Sequence, residues 1–523
     1  MKQFTIGVDF GTDSARAVLA DASDGSVLAS AARNYPRWAD GLYCDAAVQQ
    51  FRQHPLDYIE CLEGVLKEVV GACPDPSAIR SIAVDTTGST VCMADADGMP
   101  LSLQSGFEGD PDAMFILWKD HTATVEAAEF TSAGAKYEPN YICQSGNHYS
   151  SECTWAKVLH TVRKSEKVRR SATGFIDECD FVTALLTGAR GYASMKWGHC
   201  IPAAKQLWNK DWGGYPPEWF FESIDPILIP YLRAVPHDNY ASSRKAGTLC
   251  HEWAAKLGLG TGVVIGVGNC DAHSGAVGAG VRPGTAVLNL GTSACYMAVM
   301  PVEEMKGHFI DGLFGQAEGT ILEGYMGYET GLSAFGDIFA WFRRLTGRPL
   351  DELGKEAEAI VLRDDLPLAT DFFNGRRAPN PSNTVTAGIS GLRITTGPAE
   401  IYRALVEAAA FGSRACIDQY LDGGIRIDRM IAVGGIALKS PFVVQTLCDV
   451  LGRPVEVSGC SDACALGSAI HAAVAAGLYG NVLEAEDAMC PGSCAVYTPD
   501  ASRREFYQHR YEKYGRLAAL ELF

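Results

Sequence analysis

The sequence lacks the features that mark several common classes of protein. No apolar run reaches the roughly 18 to 20 residues that a membrane-spanning helix needs. Asp9 interrupts the apolar stretch at the amino terminus before a signal-peptide core could form. The chain also has no charge run and no low-complexity tract. These absences predict a globular protein of the cytoplasm.

Cysteine is present, but its spacing is not that of the disulfide-bonded small secreted domains or of zinc sites. The 17 cysteines are an odd number scattered through 523 residues. The closest pairs are Cys460 with Cys464 and Cys490 with Cys494, and no matching His/Cys quartet accompanies them. We therefore predict reduced thiols and no zinc site.

Positive charge is scarce relative to negative charge. The chain carries 44 lysines and arginines against 62 aspartates and glutamates, a formal net charge of −18. Nucleic-acid binding draws most of its affinity from cations that neutralise phosphates, so this balance argues against such a partner. A small anion such as ATP can still bind through backbone amides, a divalent cation and one or two lysines.

The common phosphate-binding loops are missing as well. Gly354-Lys355 lacks the upstream glycine of a P-loop and is followed by Glu356. No G-x-G-x-x-G sequence stands between a predicted strand and a helix. These two absences exclude the usual P-loop and weaken a dinucleotide interpretation.

What the sequence does contain is one short phrase in two copies. VDFGTDS occupies residues 8–14 and LNLGTSA occupies residues 288–294, 280 residues later. Glycine allows close backbone approach to a ligand, and the amides and threonine hydroxyl of such a turn can surround an anion. Gly11-Thr12 and Gly291-Thr292 are therefore predicted phosphate turns. Two turns of this kind in two related halves favour an ATP clamp and phosphoryl transfer.

Length and pattern predict two large α/β domains. The first covers residues 1–281, with insertions over about 130–245 whose structure the sequence determines poorly, and the second covers 282–523. Apolar runs bounded by turn residues predict strands, and longer periodic segments predict helices. The predicted strands are 4–9, 15–20, 27–29, 82–85, 263–268 and 429–433, and the predicted helices are 48–70, 398–421 and 441–451, the last capped by Ser440-Pro441.

The first Gly-Thr turn also carries charged residues. Asp9 precedes it, and a carboxylate there could hold Mg²⁺ directly or through water; a turn aspartate that only accepts backbone hydrogen bonds is the alternative. Arg16 leaves the turn on the outgoing strand, where it could reach phosphate or face solvent.

A second candidate carboxylate, Asp271, follows the predicted buried strand 263–268. Transfer of a phosphoryl group to an alcohol needs a base that takes the hydroxyl proton. Asp271 suits that role, and a helix N-cap is an equally good explanation of it. His273 is more simply a structural hydrogen-bonding residue than a second base.

Polar groups beside aromatic residues are typical of sugar sites. Trp118-Lys119, Lys205 and Glu329 stand in such surroundings, although each could also be a solvated surface group. The segment 85–90 reads DTTGST and offers a further polar turn after a buried strand.

These strings together resemble the FGGY carbohydrate kinases, within the actin-like and hexokinase-like ATPases, over essentially the whole chain. The resemblance rests on DFGTDSAR at 9–16, WKDHTA at 118–123, NCDAH at 269–273 and GDIFAWF at 336–342. It is greatest to the members that act on L-ribulose. It implies two ribonuclease H-like α/β lobes with a cleft between them.

The resemblance also implies roles for individual residues. The base is Asp271, and the acids beside Mg²⁺ are Asp9 and Asp271. Groups that contact ATP are Gly11, Thr12, Asp13, Arg16, Gly291, Thr292, Gly434 and Gly435. Groups that contact the sugar are Gly88, Ser89, Trp118, Lys119, Lys205, Asp271 and Glu329.

The expected activity is therefore ATP-dependent phosphorylation of the 5-hydroxyl of a ketopentose, and L-ribulose is the favoured substrate. The first domain would bind the sugar and the second the nucleotide, with Mg²⁺ as cofactor and a homodimer as a possible assembly. A kinase for D-ribulose or xylulose is one alternative. An actin-like or chaperone-like ATPase without sugar chemistry is another.

Overall fold

The computed structural model describes residues 2–382 and 384–520, which fall into two compact units. The first unit contains the chain up to Gly280 together with Gly315–Gly327 and Asp462–Cys490. The second unit contains Val281–Phe314, Tyr328–Ser461 and the chain from Pro491 onward. The first boundary lies beside the predicted one at 281/282. The units differ from the predicted domains because two later segments pack with the first unit.

The strands are short and occur in both units. They are β1 (Phe4–Phe10), β2 (Ser14–Asp21), β3 (Val27–Asn34), β4 (Cys44–Asp45), β5 (Gln50–Gln53), β6 (Ile79–Thr86), β7 (Val91–Ala94), β8 (Phe115–Ile116), β9 (Gly174–Asp177), β10 (Lys245–Thr248), β11 (Val264–Gly266), β12 (Asn269–Cys270), β13 (Gly284–Leu290), β14 (Ala294–Pro301), β15 (Gly315–Glu318), β16 (Tyr325–Leu332), β17 (Leu368–Ala369), β18 (Ile389–Ser390), β19 (Ile427–Val433), β20 (Val455–Ser458) and β21 (Ser493–Tyr497).

The α-helices lie between these strands and after the last of them. They are α1 (Pro36–Ala39), α2 (Pro55–Gly71), α3 (Thr124–Gly134), α4 (Thr154–Lys164), α5 (Glu166–Ser171), α6 (Glu178–Thr187), α7 (Cys200–Lys205), α8 (Glu218–Ile224), α9 (Ile229–Ala234), α10 (His251–Leu257), α11 (Asp271–Gly278), α12 (Val302–Met305), α13 (Gly336–Thr346), α14 (Leu350–Glu358), α15 (Pro398–Asp422), α16 (Gly435–Lys439), α17 (Pro441–Leu451), α18 (Ala463–Ala475), α19 (Val482–Met489) and α20 (Arg504–Ala518).

The main sheet of the first unit has the order β10-β11-β6-β1-β2-β3, with β12 also paired to β6. Strands β1, β2 and β3 form an antiparallel meander, whereas β6 runs parallel to β1. All seven residues of β1 are buried, because both faces of a sheet in an α/β unit are covered.

The second unit repeats this arrangement. Its sheet contains the order β16-β14-β13-β19-β20-β21, in which β13 pairs antiparallel with β14 and parallel with β19. Each copy of the repeated motif therefore connects an antiparallel pair of strands, and the first strand of each pair also has a parallel neighbour on its other side. This confirms the predicted α/β class with two related halves.

Most predicted elements exist, with one clear error. The predicted strands 4–9 and 15–20 correspond to β1 and β2, and the predicted helices 398–421 and 441–451 correspond to α15 and α17. The predicted helix 48–70 is wrong in its first part. Residues 50–53 form β5, and the helix begins at Pro55, because proline fixes the backbone of a first helical turn and lacks a donor that the turn would not use.

Two local details also differ from or add to the predictions. Ser440 occupies the N-cap of α17, but its side chain makes no capping hydrogen bond. The region 130–245, whose structure the sequence leaves open, contains the helices α4 to α9 and the strand β9, and it ends where β10 begins.

Helix α18 covers the face of β1 in the first unit. A Cβ atom at Gly7 would collide with the carbonyl of Ala465, so only glycine permits this approach. In the described part of the chain, no helix is both long and apolar enough to cross a membrane.

Candidate functional site

Three strands of the first unit end at the same edge of the sheet and bring carboxylates together there. Asp9 on β1 is the register partner of Asp85 on β6, and Asn269 on β12 is also paired with Asp85. Asp271 follows β12 by one residue and opens α11. Carboxyl ends of strands are where ligands bind in open α/β sheets.

Asp9 and Asp85 form the centre of this acidic group. Their carboxylate oxygens and the Cys464 sulfur lie within 4.8 Å of one another. Burial, opposed by the nearby Arg16 guanidinium, raises the pKa of Asp9. Burial and the neighbouring Asp9 charge raise the pKa of Asp85 well above its usual range. The Ser468 hydroxyl donates a 2.5 Å hydrogen bond to Asp85 Oδ2.

The second oxygen of Asp85 bears on whether this group has the chemistry to hold a cation. Asp85 Oδ1 is buried and accepts no hydrogen bond among the described residues. Two adjacent buried carboxylates repel each other when both are ionised, and a divalent cation removes that repulsion. Oxygen ligands suit Mg²⁺, whereas a thiol does not. The two carboxylates therefore fit Mg²⁺, and Cys464 does not contribute to that fit.

Sequence reasoning missed Asp85 and Glu178. Asp85 was noted only as the end of a buried strand. Its position before a polar turn, on the strand parallel to the one carrying Asp9, was the available signal. Glu178 is 1% exposed and opens α6. Burial and the charges of Asp271 and Asp9 raise its pKa well above the usual range. Nothing in the local sequence distinguishes Glu178 from a helix-start glutamate.

The first Gly-Thr turn is held by side chains from neighbouring segments. The amide of Gly11 donates to the Ser14 carbonyl at 3.0 Å. The Trp118 indole donates to the Thr12 hydroxyl at 3.1 Å, and the Gln53 amide donates to the Thr12 carbonyl at 2.7 Å. Because its oxygen accepts from Trp118, the Thr12 hydroxyl can direct its own proton to a ligand.

Two charged residues flank this turn. Asp13 Oδ1 accepts a hydrogen bond from the Trp38 indole at 2.7 Å. Arg16 has a side chain that is 52% exposed, and its guanidinium lies 3.8 Å from Asp9 Oδ2. Arg16 thus both faces solvent and contacts the acid beside the turn.

The turn after β6 is enclosed by other parts of the first unit. A Cβ atom at Gly88 would lie 2.6 Å from Ile201 Cδ1 and 2.9 Å from Cys270 Sγ. The Ser89 hydroxyl donates to the Glu152 carbonyl at 2.8 Å. Gly88 therefore lies against the residue that precedes Asp271, which places the two sequence-predicted features side by side.

Asp271 occupies the first position of α11 rather than its cap. The N-cap is Cys270, and Asp271 Oδ1 accepts a 2.7 Å hydrogen bond from the Ala272 amide. His273 is buried, and its Nδ1 lies 2.8 Å from Cys200 Sγ and 3.1 Å from the Thr320 carbonyl. These contacts agree with a structural role for His273.

The two predicted lysines have different surroundings. Lys205 ends α7 and is 1% exposed, so it is not a solvated surface group. Its carbonyl accepts a hydrogen bond from the Tyr149 hydroxyl at 2.8 Å. The Lys119 ammonium lies 5.0 Å from the ring centroids of Trp38 and Phe51, a cation–π arrangement beside Trp118.

The second Gly-Thr turn belongs to the second unit and is tighter than the first. The Gly291 amide donates to the Ser293 carbonyl at 3.0 Å, so this turn is one residue shorter than the first. The Thr292 carbonyl accepts hydrogen bonds from the Phe335 and Asp337 amides at 2.9 and 3.2 Å. The start of α13 therefore packs on this turn.

The Gly434-Gly435 turn lies against the end of β13, the strand that leads into the second Gly-Thr turn. Gly434 has φ +97° and ψ 169°, a conformation that is essentially restricted to glycine. A Cβ atom there would lie 2.7 Å from the Leu290 carbonyl oxygen. Gly435 begins α16. Glu329, on β16 of the second unit, is 6% exposed.

The predicted site residues therefore form two groups. The first unit holds Asp9, Gly11, Thr12, Asp13, Arg16, Gly88, Ser89, Trp118, Lys119, Lys205 and Asp271. The second unit holds Gly291, Thr292, Glu329, Gly434 and Gly435. Among the described residues, Asp9 has Asp85 and Cys464 rather than Asp271 as its partners in the compact ligand group.

Comparisons with known proteins show which family the chain is similar to. Residues 286–476 match a model of the FGGY family of carbohydrate kinases, C-terminal domain. A ribulokinase of Vibrio parahaemolyticus is 35% identical, over 99% of this chain and 95% of that protein. A ribulokinase of Shouchella clausii is 33% identical, with the same coverage of 99% and 95%.

A solved structure supports the fold. The ligand-bound xylulose kinase of Lactobacillus acidophilus is 18% identical and superposes with a TM-score of 0.82, over 99% of both chains. At this identity the likeness concerns the architecture alone.

Proposed function

The chain belongs to the FGGY family of carbohydrate kinases, and on that premise we propose that it transfers the γ-phosphoryl group of ATP to the 5-hydroxyl of L-ribulose. The observation that carries the proposal is the acidic edge of the first sheet, where Asp9 and Asp85 lie near the ends of β1 and β6 and Asp271 directly follows β12. The full-length similarity to ribulokinases supports the choice of sugar.

Asp271 is the proposed base. It stands at the first position of α11, and the residue before it, Cys270, lies against Gly88. A general base contributes typically 10²- to 10⁴-fold to the rate when it is held against the hydroxyl that attacks. The Ala272 amide that donates to Asp271 Oδ1 orients the carboxylate.

Asp9 and Asp85 would hold Mg²⁺. Bound there, the cation would neutralise charge on the transferring phosphate oxygens. The buried Asp85 oxygen without a hydrogen-bond partner supports this assignment. Ser468 orients Asp85 by donating to its other oxygen.

The remaining residues would bind the two substrates. Backbone amides and hydroxyls of Gly11-Thr12 and Gly291-Thr292 are proposed to bind phosphate, with Asp13 and Arg16 beside the first turn. Gly434-Gly435 would let the backbone approach the adenosine. Gly88, Ser89, Trp118, Lys119, Lys205 and Glu329 are proposed to bind the sugar.

Initial rates across a panel of substrates test this proposal. L-ribulose, D-ribulose, xylulose, hexuloses and polyols are each supplied at equal concentration with MgATP, and ADP formation is measured with a coupled assay. L-ribulose should show the highest kcat/KM. A higher kcat/KM for D-ribulose or xylulose would make that sugar the substrate in place of L-ribulose. ATPase activity that no sugar stimulates would contradict the proposed kinase activity.

Location and assembly need separate measurements. We propose that the protein acts in the cytoplasm, and as a homodimer. Light scattering of the purified protein reports the mass, and a value near 56.1 kDa would contradict a dimer. Fractionation of the source cells reports the compartment.

A further inference from the structure

Helix α4 contains a lysine that sequence reasoning passed over. Lys157 is 1% exposed and is the fourth residue of α4. Its ammonium donates to three backbone carbonyls, those of Ser89 at 2.7 Å, Leu117 at 3.1 Å and Ile116 at 3.4 Å. An ammonium has three donors and no acceptor, so the three carbonyls use its full capacity.

The three carbonyls belong to two segments that the site depends on. Ser89 lies in the polar turn after β6. Leu117 directly precedes Trp118, whose indole donates to the hydroxyl of Thr12 in the first Gly-Thr turn. Lys157 therefore connects the turn beside Asp271 with the segment that contacts the phosphate turn.

The two segments are also joined by backbone pairing, because Val91 on β7 is the register partner of Ile116 on β8. Lys157 adds a side-chain connection beside this pairing. The Ser89 hydroxyl donates to the Glu152 carbonyl, in the chain segment that leads into α4. Hydrogen bonds from a charged donor are shorter and stronger than those from a neutral one. The two segments are thus both anchored to α4, and Lys157 supplies the charged anchor.

We propose that Lys157 is a positioning residue for the sugar, which acts by fixing the Ser89 turn and the Trp118 segment relative to each other. The proposal rests on the proposed function, because it assigns sugar binding to these two segments. Lys157 itself need not touch the sugar.

The charge of Lys157 is sensitive to its surroundings. Burial lowers the pKa of Lys157 to about 7, against the opposing effects of Glu152, Cys153 and Asp177, while Arg52 lowers it further. Arg52 is itself paired with Asp120. An uncharged amine keeps two N–H donors for three carbonyls. The KM for the sugar should therefore rise as pH increases through about 7.

Two variants and a matched control test the proposal. Lys157→Met keeps the length and removes every donor, and Lys157→Gln restores two donors on a shorter chain. Lys164→Met makes the same change at the exposed end of α4, where the ammonium contacts Asp112. The KM for the sugar should rise about tenfold or more in Lys157→Met, less in Lys157→Gln, and not in Lys164→Met.

Two further readouts separate positioning from general loss of stability. Hydrogen exchange should quicken in peptides covering 86–92 and 116–120 in Lys157→Met, and stay unchanged there in Lys164→Met. The rise of sugar KM with pH should disappear in Lys157→Met. If Lys157→Met does not fold, the wild-type dependence of sugar KM on pH and the sugar KM of Lys157→Gln test the proposal instead.

The outcomes are distinguishable. A folded Lys157→Met with sugar KM within twofold of wild type overturns the inference, as does a wild-type sugar KM that stays constant from pH 6 to 8.5. A wild-type protein that phosphorylates no sugar of the panel refutes the proposed function instead. In that case the hydrogen-exchange comparison still tests whether Lys157 holds the two segments.

Discussion

Asp9 lies opposite Asp85 across two parallel strands, and the equivalent position of the second unit pairs Asn289 with Val433. The two sheets share their strand order, so the difference lies in side chains and not in architecture. Two carboxylates offer two negative charges and oxygen ligands from both strands to a divalent cation, whereas an amide and an isopropyl group offer no charge and an oxygen from only one strand. The two copies of the repeated phrase therefore have different chemistry.

Asp85→Asn should weaken cation binding. The substitution keeps the side-chain volume and removes one of two negative charges. We expect it to lower Mn²⁺ affinity by at least about tenfold, the lower end of the cost of losing an outer-shell partner. Calorimetric titration with Mn²⁺, in the absence of substrates, measures this directly. Asp40→Asn, at an exposed position, is the control and should bind as wild type does. Equal affinity in Asp85→Asn would remove Asp85 from the cation site.

Asp271→Asn should lower kcat by roughly 10²- to 10⁴-fold with the fold intact, because an amide cannot take the hydroxyl proton. The Ala272 amide can still donate to the asparagine carbonyl. Steady-state rates and circular dichroism measure the two parts of this prediction. Asp238→Asn, exposed in the same unit, should retain wild-type turnover. Near-normal kcat in Asp271→Asn would exclude it as the base.

Gly434→Ala should destabilise the second unit and raise the KM for ATP. The backbone conformation at Gly434 costs other residues about 1–3 kcal/mol, and the added Cβ would meet the Leu290 carbonyl at 2.7 Å. Gly452→Ala is the matched control, since Gly452 has φ +63° but nothing within 4 Å of its Cβ position. Urea unfolding and ATP kinetics should show both effects in Gly434→Ala and only mild destabilisation in Gly452→Ala. Equal unfolding free energies in the two variants would contradict the steric argument.

His471 should make the protein sensitive to mild acid. Burial lowers its pKa from 6.5 to about 4. Its Nε2 lies 3.3 Å from the Asn269 amide nitrogen, and its Nδ1 is buried without a hydrogen-bond partner among the described residues. Because the folded-state pKa is depressed, the stabilising contribution is complete above pH 6.5 and is lost as pH falls through about 4. Its full size is about 3 kcal/mol.

The comparison of wild type with His471→Gln isolates that contribution. Glutamine is polar but does not titrate, so the free energy of unfolding should fall less in the variant than in wild type between pH 7 and pH 4.5. Urea unfolding at the two pH values gives both differences. Parallel curves for the two proteins would show that His471 does not contribute to the acid sensitivity.

Much of the fold followed from local sequence. The two Gly-Thr phrases, the buried strands around them and helices α15 and α17 were predicted from apolar runs and turn residues. The error at 48–70 arose because β5 is short and precedes α2 directly, so that the apolar positions of both elements merge into one apparent helical period. Pro55 was the local signal for the true start of the helix.

The site was predicted less completely. Asp9 and Asp271 could be found because each stands next to a strand and a turn with a recognisable composition. Asp85 also stands between a strand and a polar turn, but its pairing with Asp9 could not be assigned in this way, and neither could Glu178 or Lys157. Their surroundings are set by register across β1 and β6, by burial at the start of α6, and by carbonyls from distant segments. None of these appears in a linear pattern.

The sequence by itself determined that this chain forms two related α/β halves with a glycine-threonine turn in each, because turn chemistry and strand periodicity act over a few residues. The tertiary structure alone decided that residues 315–327 and 462–490 pack with the first unit. It also decided that Asp85 accompanies Asp9 and that Lys157 holds two segments together. These relationships depend on which distant residues share a buried environment, and burial is a property of the folded chain.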